Sequence, residues 1–340
     1  MNIYKLLKQY TRFGGEAKLF ALFVLHTLRR RYIGVYIDPV LSCNYHCQMC
    51  YYSNDEIRRT RHGRMTGEQI NNVGKALFSR VLKLQIGCGA EPTMDMSGTM
   101  QLVKLGTQYG VPYISMTSNG ILLTYDKLQE LVEAGLDELT VSLHGVHKDT
   151  YEVLMGNNKY GAFLELLQTI KQIKARYPKF IIRINYTMNA DNVDELSDFD
   201  TVFADIPVDV LQLRPIRDLG DSKYRNFDLT HVSGCLDSVV RPLAKRCKKK
   251  GILVLFPERI NIERFEKRKD TPYKEKMVSN FVYYNITAQS YTTQNIHFDT
   301  EDYSAYSRRV HIGRQILKTF FSTKESQPTA LSNPLNYDIQ

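Results

Sequence analysis

From Ile33 the chain reads Ile33-Gly-Val-Tyr-Ile-Asp38-Pro-Val-Leu-Ser-Cys43-Asn-Tyr-His-Cys47-Gln-Met-Cys50: six residues of strand character, a short turn, then three cysteines on one loop. Working outward, β-rich runs recur at Leu84 to Cys88, Tyr113 to Thr117, Glu138 to Leu143, Phe180 to Thr187, Val210 to Arg214 and Ile252 to Phe256. Helical patterns separate them, among them Thr66 to Leu82, Tyr125 to Ala134, Ala162 to Arg176 and Leu236 to Lys249. Regular alternation of strand and helix predicts a parallel α/β sheet, either doubly wound or curled into a full or partial barrel.

In such folds the chemistry collects where strands end. Strand two runs into Gly87-Cys-Gly-Ala-Glu-Pro92 and strand three into Thr117-Ser-Asn-Gly120. Strands four, five and six end at Ser142-Leu-His-Gly145, Asn185-Tyr-Thr-Met-Asn189 and Arg214-Pro-Ile-Arg217. Polar and glycine-containing ends throughout predict one shared pocket, in which Arg214 and Arg217 offer forks for a phosphate or carboxylate.

The 340 residues are 43% hydrophobic and 24% charged, which excludes a collagenous, disordered or multi-span membrane protein. A net charge of +9 admits acidic substrates, nucleic acid or an anionic surface and selects none of them. Of six cysteines, three crowd the first loop while Cys88, Cys235 and Cys247 are scattered. That is unlike a secreted disulfide framework and points to a metal site in a reducing, cytoplasmic compartment. Three thiolates on one loop suit an iron–sulfur cluster and leave one iron of a cubane open; zinc would need His46 or a remote cysteine as a fourth ligand.

The Cys-x3-Cys-x2-Cys loop, followed in order by the other strand ends, resembles the radical S-adenosylmethionine (SAM) superfamily over roughly residues 33 to 256. The resemblance implies a partial (β/α)6 TIM-like barrel with a [4Fe-4S] cluster on Cys43, Cys47 and Cys50. SAM would chelate the open iron and be cleaved by one electron to a 5′-deoxyadenosyl radical that abstracts a substrate hydrogen. Gly89, Ala90, Glu91 and Pro92 look like the motif beside the methionine amino group. Ser118, Asn119, Ser142 and Asn185 match strand-end positions that contact ribose or carboxylate. A ferredoxin or flavodoxin is the electron donor such enzymes use. Met49 departs from the usual aromatic residue beside adenine, and His144 stands where peptide-modifying members have Asp.

The expected organisation is an N-terminal amphipathic helix (1–31), the barrel (32–257), a small α+β C-terminal extension (258–321) and a flexible tail (322–340). The apolar run Leu19 to Leu28 is too short to span a bilayer, which takes roughly 20 residues. It is read as a helix packed on the barrel; the second reading lays it on a membrane surface. The stretch Phe281 to Tyr306 has an antiparallel look. No cysteine follows Cys247, so a single cluster is expected. Cys88 is read as a strand core residue. Cys235 and Cys247 are read as core or surface thiols rather than ligands, about 120° apart on one helix.

Three function classes follow. The first is a radical SAM enzyme acting on a peptide or a small anionic or lipid-linked metabolite, with no residue nominated as hydrogen donor or base. The second is an RNA-modifying relative, disfavoured by dispersed charge and the lack of a visible RNA-binding module. The third is a non-catalytic zinc or iron–sulfur binding protein.

Overall fold

The computed structural model describes residues 13–217, 221–257, 260 and 272–322. Helix α1 (Gly15–Thr27) leads into β1 (Ile33–Asp38), the cysteine loop and α2 (Asp55–Thr60). Then follow α3 (Gly67–Leu77), β2 (Val81–Ile86), α4 (Met96–Gln108), β3 (Ile114–Ser118), α5 (Tyr125–Ala134) and β4 (Glu138–Leu143). The chain continues through α6 (Lys148–Leu154), α7 (Tyr160–Arg176), β5 (Ile181–Met188), α8 (Phe199–Val202), β6 (Val210–Pro215), α9 (Thr230–Cys235), α10 (Arg241–Lys249) and β7 (Leu253–Leu255). It closes with α11 (Tyr273–Val282), β8 (Tyr283–Thr287), α12 (Tyr303–Arg309) and α13 (Ile312–Phe320). Among the described residues eight strands form one parallel sheet, in the order β7-β6-β5-β4-β3-β2-β1-β8. The predicted α/β fold is therefore what forms: a curled parallel sheet whose outward residues, such as Leu84, Ile86, Val141 and Ile184, are buried under the helices.

Local chemistry sets the boundaries. Thr66 and Gln69 form a reciprocal capping box that starts α3. The helical pattern expected to Leu82 stops at Leu77 because Phe78–Arg80 tightens into a 3-10 turn, so β2 begins at Val81 and ends before Cys88. Thr124 caps α5, and Gly135 ends it in the left-handed region. The single helix expected from Leu236 to Lys249 opens with a π-helical turn over Leu236–Val240, since Pro242 has no N–H for a regular helical bond.

At the C-terminus the expectation of antiparallel pairing fails. Tyr283–Thr287 pairs in parallel with β1, residue for residue from Gly34↔Tyr283 to Asp38↔Thr287. The physical reason is the crossover: α11 carries the chain back across the sheet, so the strand enters in the same direction as β1. β8 thus covers the edge of β1, a strand buried over nearly its whole length.

Helix α1 packs through one side only, and it is apolar on both: Phe20, Val24 and Leu28 form an exposed apolar stripe on the other. Leu19 and Leu22 are buried where α1 meets α11 and α13, and Lys18 and Glu16 pair with Glu275 and Lys274. Just beyond the helix, the Tyr32 hydroxyl bonds that of Tyr303 at 2.6 Å. Among the described residues no helix is long and apolar enough to cross a membrane. Residues 1–12, most of the charged run Glu258 to Lys276, and the tail beyond Ser322 lie outside the described residues.

Candidate active site

The cysteine loop leaves β1 and is fixed by its own backbone. The N–H of Tyr45 points at Cys43 Sγ and that of Tyr52 at Cys50 Sγ, each at 3.5 Å, a polarity suited to thiolate. Arg58 gathers the loop carbonyls, donating to Cys43 O at 3.0 Å and Tyr45 O at 2.9 Å. From the far side, Gln48 N–H bonds Leu154 O, and Gly156 sits at φ +63 with its α-carbon face against His46. A Cβ on Gly156 would lie 2.2 Å from His46 O, so this approach requires glycine. Burial pushes all three thiols up, Cys43 to about 12, with Glu91 adding to the effect there and neighbouring cysteines at Cys47. A bound cation would replace those protons.

The neighbouring strand ends are locked to this loop by two buried carboxylates. Asp38 accepts from the backbone N–H groups of Cys88 (2.8 Å) and Gly89 (3.1 Å), and burial raises it to about 6. Gly87 adopts φ +74, where a Cβ would meet Thr117 O at 2.4 Å. Glu91 accepts from Thr93 N and Thr93 Oγ1, from Ser118 Oγ at 2.7 Å and from Asn119 N at 2.8 Å, tying the β2 loop to the end of β3. Burial raises its pKa against these donors. Tyr51 hydroxyl donates to Gly89 O, joining the cysteine loop to the same ledge.

Above the sheet these elements enclose a cavity of about 340 Å³. It is lined by all three cysteines, Gly89, Ala90, Glu91, Ser118, Asn119, Ser142 and Asn185, together with Met49, His144, Arg214 and Arg217. Pro92 does not line it; it is buried against Gly87. Ser142 and Asn185 are register partners across β4 and β5. Met49 sulfur accepts from Asn189 Nδ2 at 3.0 Å. Cys88 corrects the expectation of a strand core residue: β2 has already ended, and Cys88 lines the cavity. Cys235 and Cys247 are both buried in the core, one of the two placements expected for them.

The cavity floor was not legible from the loops. It consists of inward-facing side chains within the strands: Lys83 and Gln85 on β2, Thr140 on β4, Arg183 on β5 and Gln212 on β6. Arg183 and Glu138 form a buried ion pair (Nε–Oε1 3.3 Å), and Arg183 also donates to Gln212 at 2.9 Å. Lys83 has the Tyr113 ring 5.8 Å from its ammonium; burial, with Arg183 nearby, lowers its pKa to about 7. The signal was alternation: a parallel strand buried on both faces should be apolar throughout, so polar residues at every second place mark an inner face.

The fit to cluster and cofactor rests on two observations. Among the described residues, the one set of three ligand atoms lying within 4.8 Å of one another is elsewhere, at Asp194, His231 and Cys235. The loop sulfurs are therefore spread wider than around a single tetrahedral zinc, where Zn–S of about 2.3 Å sets thiolates about 3.8 Å apart. His46, the proposed fourth zinc ligand, is exposed and does not line the cavity. In addition, Tyr52 OH, His144 Nδ1 and Asn185 Oδ1 are buried on the cavity wall without hydrogen-bond partners among the described residues. Orphaned groups of this kind cost about 1–3 kcal/mol each unless a ligand satisfies them.

A parallel barrel whose first strand delivers three thiols beside a cofactor-sized cavity defines a class, and the comparisons agree. The family model described as "Radical SAM superfamily" matches residues 37–210, just over half the chain. The chain belongs to the radical SAM superfamily, whose cofactors are SAM and a [4Fe-4S] cluster. It is similar to the probable GTP 3′,8-cyclase of Sulfolobus acidocaldarius, at 24% identity over 202 residues, 58% of this chain and 61% of that protein. The probable GTP 3′,8-cyclase of Thermoplasma volcanium is 29% identical over 174 residues, 48% of this chain and 50% of that one. The chain thus spans 50 to 61% of the length of these two relatives. In fold it is similar to Streptococcus suis SuiB (TM-score 0.59, 13% identity, 83% of this chain and 67% of that one). Native anSMEcpe with bound AdoMet gives a TM-score of 0.55 at 16% identity, covering 66% of this chain and 64% of that one.

Proposed function

We propose that this chain is a single-cluster radical SAM enzyme that abstracts a hydrogen from a small anionic metabolite. The observation that carries the substrate class is the cavity's cationic lining, Lys83, Arg183, Arg214 and Arg217, beside the three cysteines. Among the described lining residues Glu91 is the one carboxylate, and its oxygens are already engaged by Thr93, Ser118 and Asn119, while Glu138 pairs with Arg183. The relatives' name, GTP 3′,8-cyclase, is in keeping with a polyanionic substrate.

Cys43, Cys47 and Cys50 would hold the cluster, which with SAM supplies the 5′-deoxyadenosyl radical on one-electron reduction. The chain's residues do the rest. Gly89 and Ala90 offer an ordered backbone ledge for the methionine end, held by Asp38. Glu91 and Ser118 act as positioning residues, because both side chains are spent on each other and on the β3 turn. Ser142 and Asn185, with the Asn185 Oδ1 acceptor open, receive ribose hydroxyls. His144, whose burial lowers its pKa to about 4, presents a neutral imidazole to the cavity. Met49 stands in for the aromatic shield of adenine. A ferredoxin- or flavodoxin-type protein supplies the electron, and residues 258–321 serve as an extension of the 32–257 barrel.

The test is anaerobic reconstitution with iron and sulfide, reduction, and assay of 5′-deoxyadenosine from SAM in the presence of nucleotides, sugar phosphates, carboxylates and peptides. Stimulation by an anionic small molecule is the expected result. Iron-loaded protein that never forms 5′-deoxyadenosine would refute the activity, and stimulation by peptides alone would refute the substrate class.

A further inference from the structure

We propose that Asp194, His231 and Cys235 form a second metal site, remote from the cysteine loop, for a zinc-class divalent ion with one coordination position open to solvent. His231 and Cys235 are four residues apart on α9 and so share a helix face. Asp194 opens the 3-10 turn that follows the β5 loop and comes to meet them. His231 Nε2 lies 2.6 Å from Asp194 Oδ2, Cys235 Sγ lies 3.4 Å from Asp194 Oδ1, and Sγ lies 3.7 Å from Nε2.

A tetrahedral zinc with bonds of about 2.0–2.3 Å sets its donor atoms roughly 3.3–3.8 Å apart. The Sγ–Nε2 and Sγ–Oδ1 separations already match, while the imidazole contact is made to the other carboxylate oxygen, Oδ2. That Nε2–Oδ2 contact shares a proton, which the ion would displace, and it joins two exposed side chains that are free to open by the roughly 0.7 Å the ion requires. The geometry also excludes a nucleophile relay. A relay uses opposite nitrogens of the imidazole for carboxylate and thiol, whereas here the one atom Nε2 faces both. Mixed thiolate, imidazole and carboxylate donors are the set zinc accepts. Cys235 closes the inner side, and the exposed Asp194 and His231 leave the outer side to water.

The ion would staple two segments that reach the cysteine loop. Just before Asp194, Asn189 bonds Met49 and Asn192 bonds His144 O. Ahead of α9, Lys223 N–H bonds Ser53 Oγ and Tyr224 N–H bonds Gln48 O. Cys235 is buried in the core, within the sequence reading of a core or surface thiol, and its two partners here lie 41 and 4 positions away in sequence.

The experiment uses iron-and-sulfide-reconstituted full-length protein, so that the cysteine loop is occupied. It is given one equivalent of zinc, desalted, and examined for zinc content and by X-ray absorption at the zinc edge, to which iron is silent. The expected result is one zinc per chain with a single sulfur neighbour at about 2.3 Å and nitrogen or oxygen at about 2.0 Å. Cys235→Ala should remove the sulfur shell. Asp194→Asn and His231→Ala, at exposed positions that leave the core intact, should each weaken zinc retention by more than the roughly 10- to 100-fold cost of losing an outer partner. No retained zinc, three sulfur neighbours, or an unchanged spectrum in Cys235→Ala would each overturn the assignment.

Discussion

Changing Lys83 to Met should make the protein more stable and less able to bind its substrate. Lys83 lies on the inner face of β2, with an aromatic ring as its neighbour and a pKa brought from the ordinary 10.5 to about 7 by burial and by Arg183. A depressed amine contributes its full stability only above pH 10.5 and loses it progressively as the pH falls through 7. At 1.36 kcal/mol per unit, keeping this lysine costs the fold roughly 4 kcal/mol at pH 7 and about 2 kcal/mol at pH 9. These figures are upper bounds, because the amine faces a cavity that admits water. Methionine, similar in length and uncharged, removes the cost. Equilibrium urea unfolding of both proteins at pH 7 and pH 9 measures the difference. A gain at pH 7 that shrinks by about half at pH 9, together with a KM for the anionic substrate raised about tenfold or more, is the signature of a charge held for binding at the expense of stability. No gain in stability, or an equal gain at both pH values, would refute the reasoning.

Other outcomes follow from the same geometry. Glu91→Gln places an amide N–H₂ against a cluster of donors; it should cost about 2–4 kcal/mol in unfolding free energy and weaken SAM binding in calorimetry, while Ser118→Ala, which removes one of the donors, costs less. Gly156→Ala forces a methyl group into His46 O and should lower the iron retained per chain after reconstitution, with circular dichroism unchanged. The raised pKa of Asp38, about 6 against 3.8, gives a contribution fully present below pH 3.8 and lost as pH rises through 6, worth about 3 kcal/mol. Asp38→Asn should therefore flatten the apoprotein's stability between pH 4 and 6 in urea titrations. Arg58→Met, which frees the carbonyls of Cys43 and Tyr45, should speed loss of the cluster's visible absorbance in air.

The parts of the site legible in the sequence were those that depart from their surroundings. Three cysteines in one turn, a Gly-x-Gly-Ala-Glu-Pro run and polar residues at strand ends stand out from apolar strands, and the fold brings them around one cavity. Roles were harder to read than places. Glu91 and Ser118 were matched to cofactor contact, yet their side chains are bonded to each other, a fact that depends on β2 and β3 being neighbours. β8 was missed as a parallel strand because Tyr283–Thr287 carries strand propensity but no direction; direction came from the return of α11 across the sheet. Cys88 was assigned to the core because the strand was drawn two residues past its end at Ile86.

The arrangement of β2 suggests why cofactor and substrate signals separate so cleanly. Its C-terminal loop, Gly87 to Pro92, is built from backbone geometry: a positive φ at Gly87, N–H groups held by Asp38, and a carboxylate locked to β3. Such a ledge tolerates few residue types, so it can be read wherever it occurs. The interior of the same strand, Lys83 and Gln85, needs only to alternate with Leu84 and Ile86, and alternation accepts any inward side chain that fits. Lys83→Met would therefore alter the cavity floor while leaving the hydrogen bonds of Asp38 and Glu91 in place. If SAM affinity in Lys83→Met stays within about twofold of the parent while substrate affinity falls, the two functions are borne by separate parts of one strand; a parallel loss of both would show that the floor also shapes the ledge.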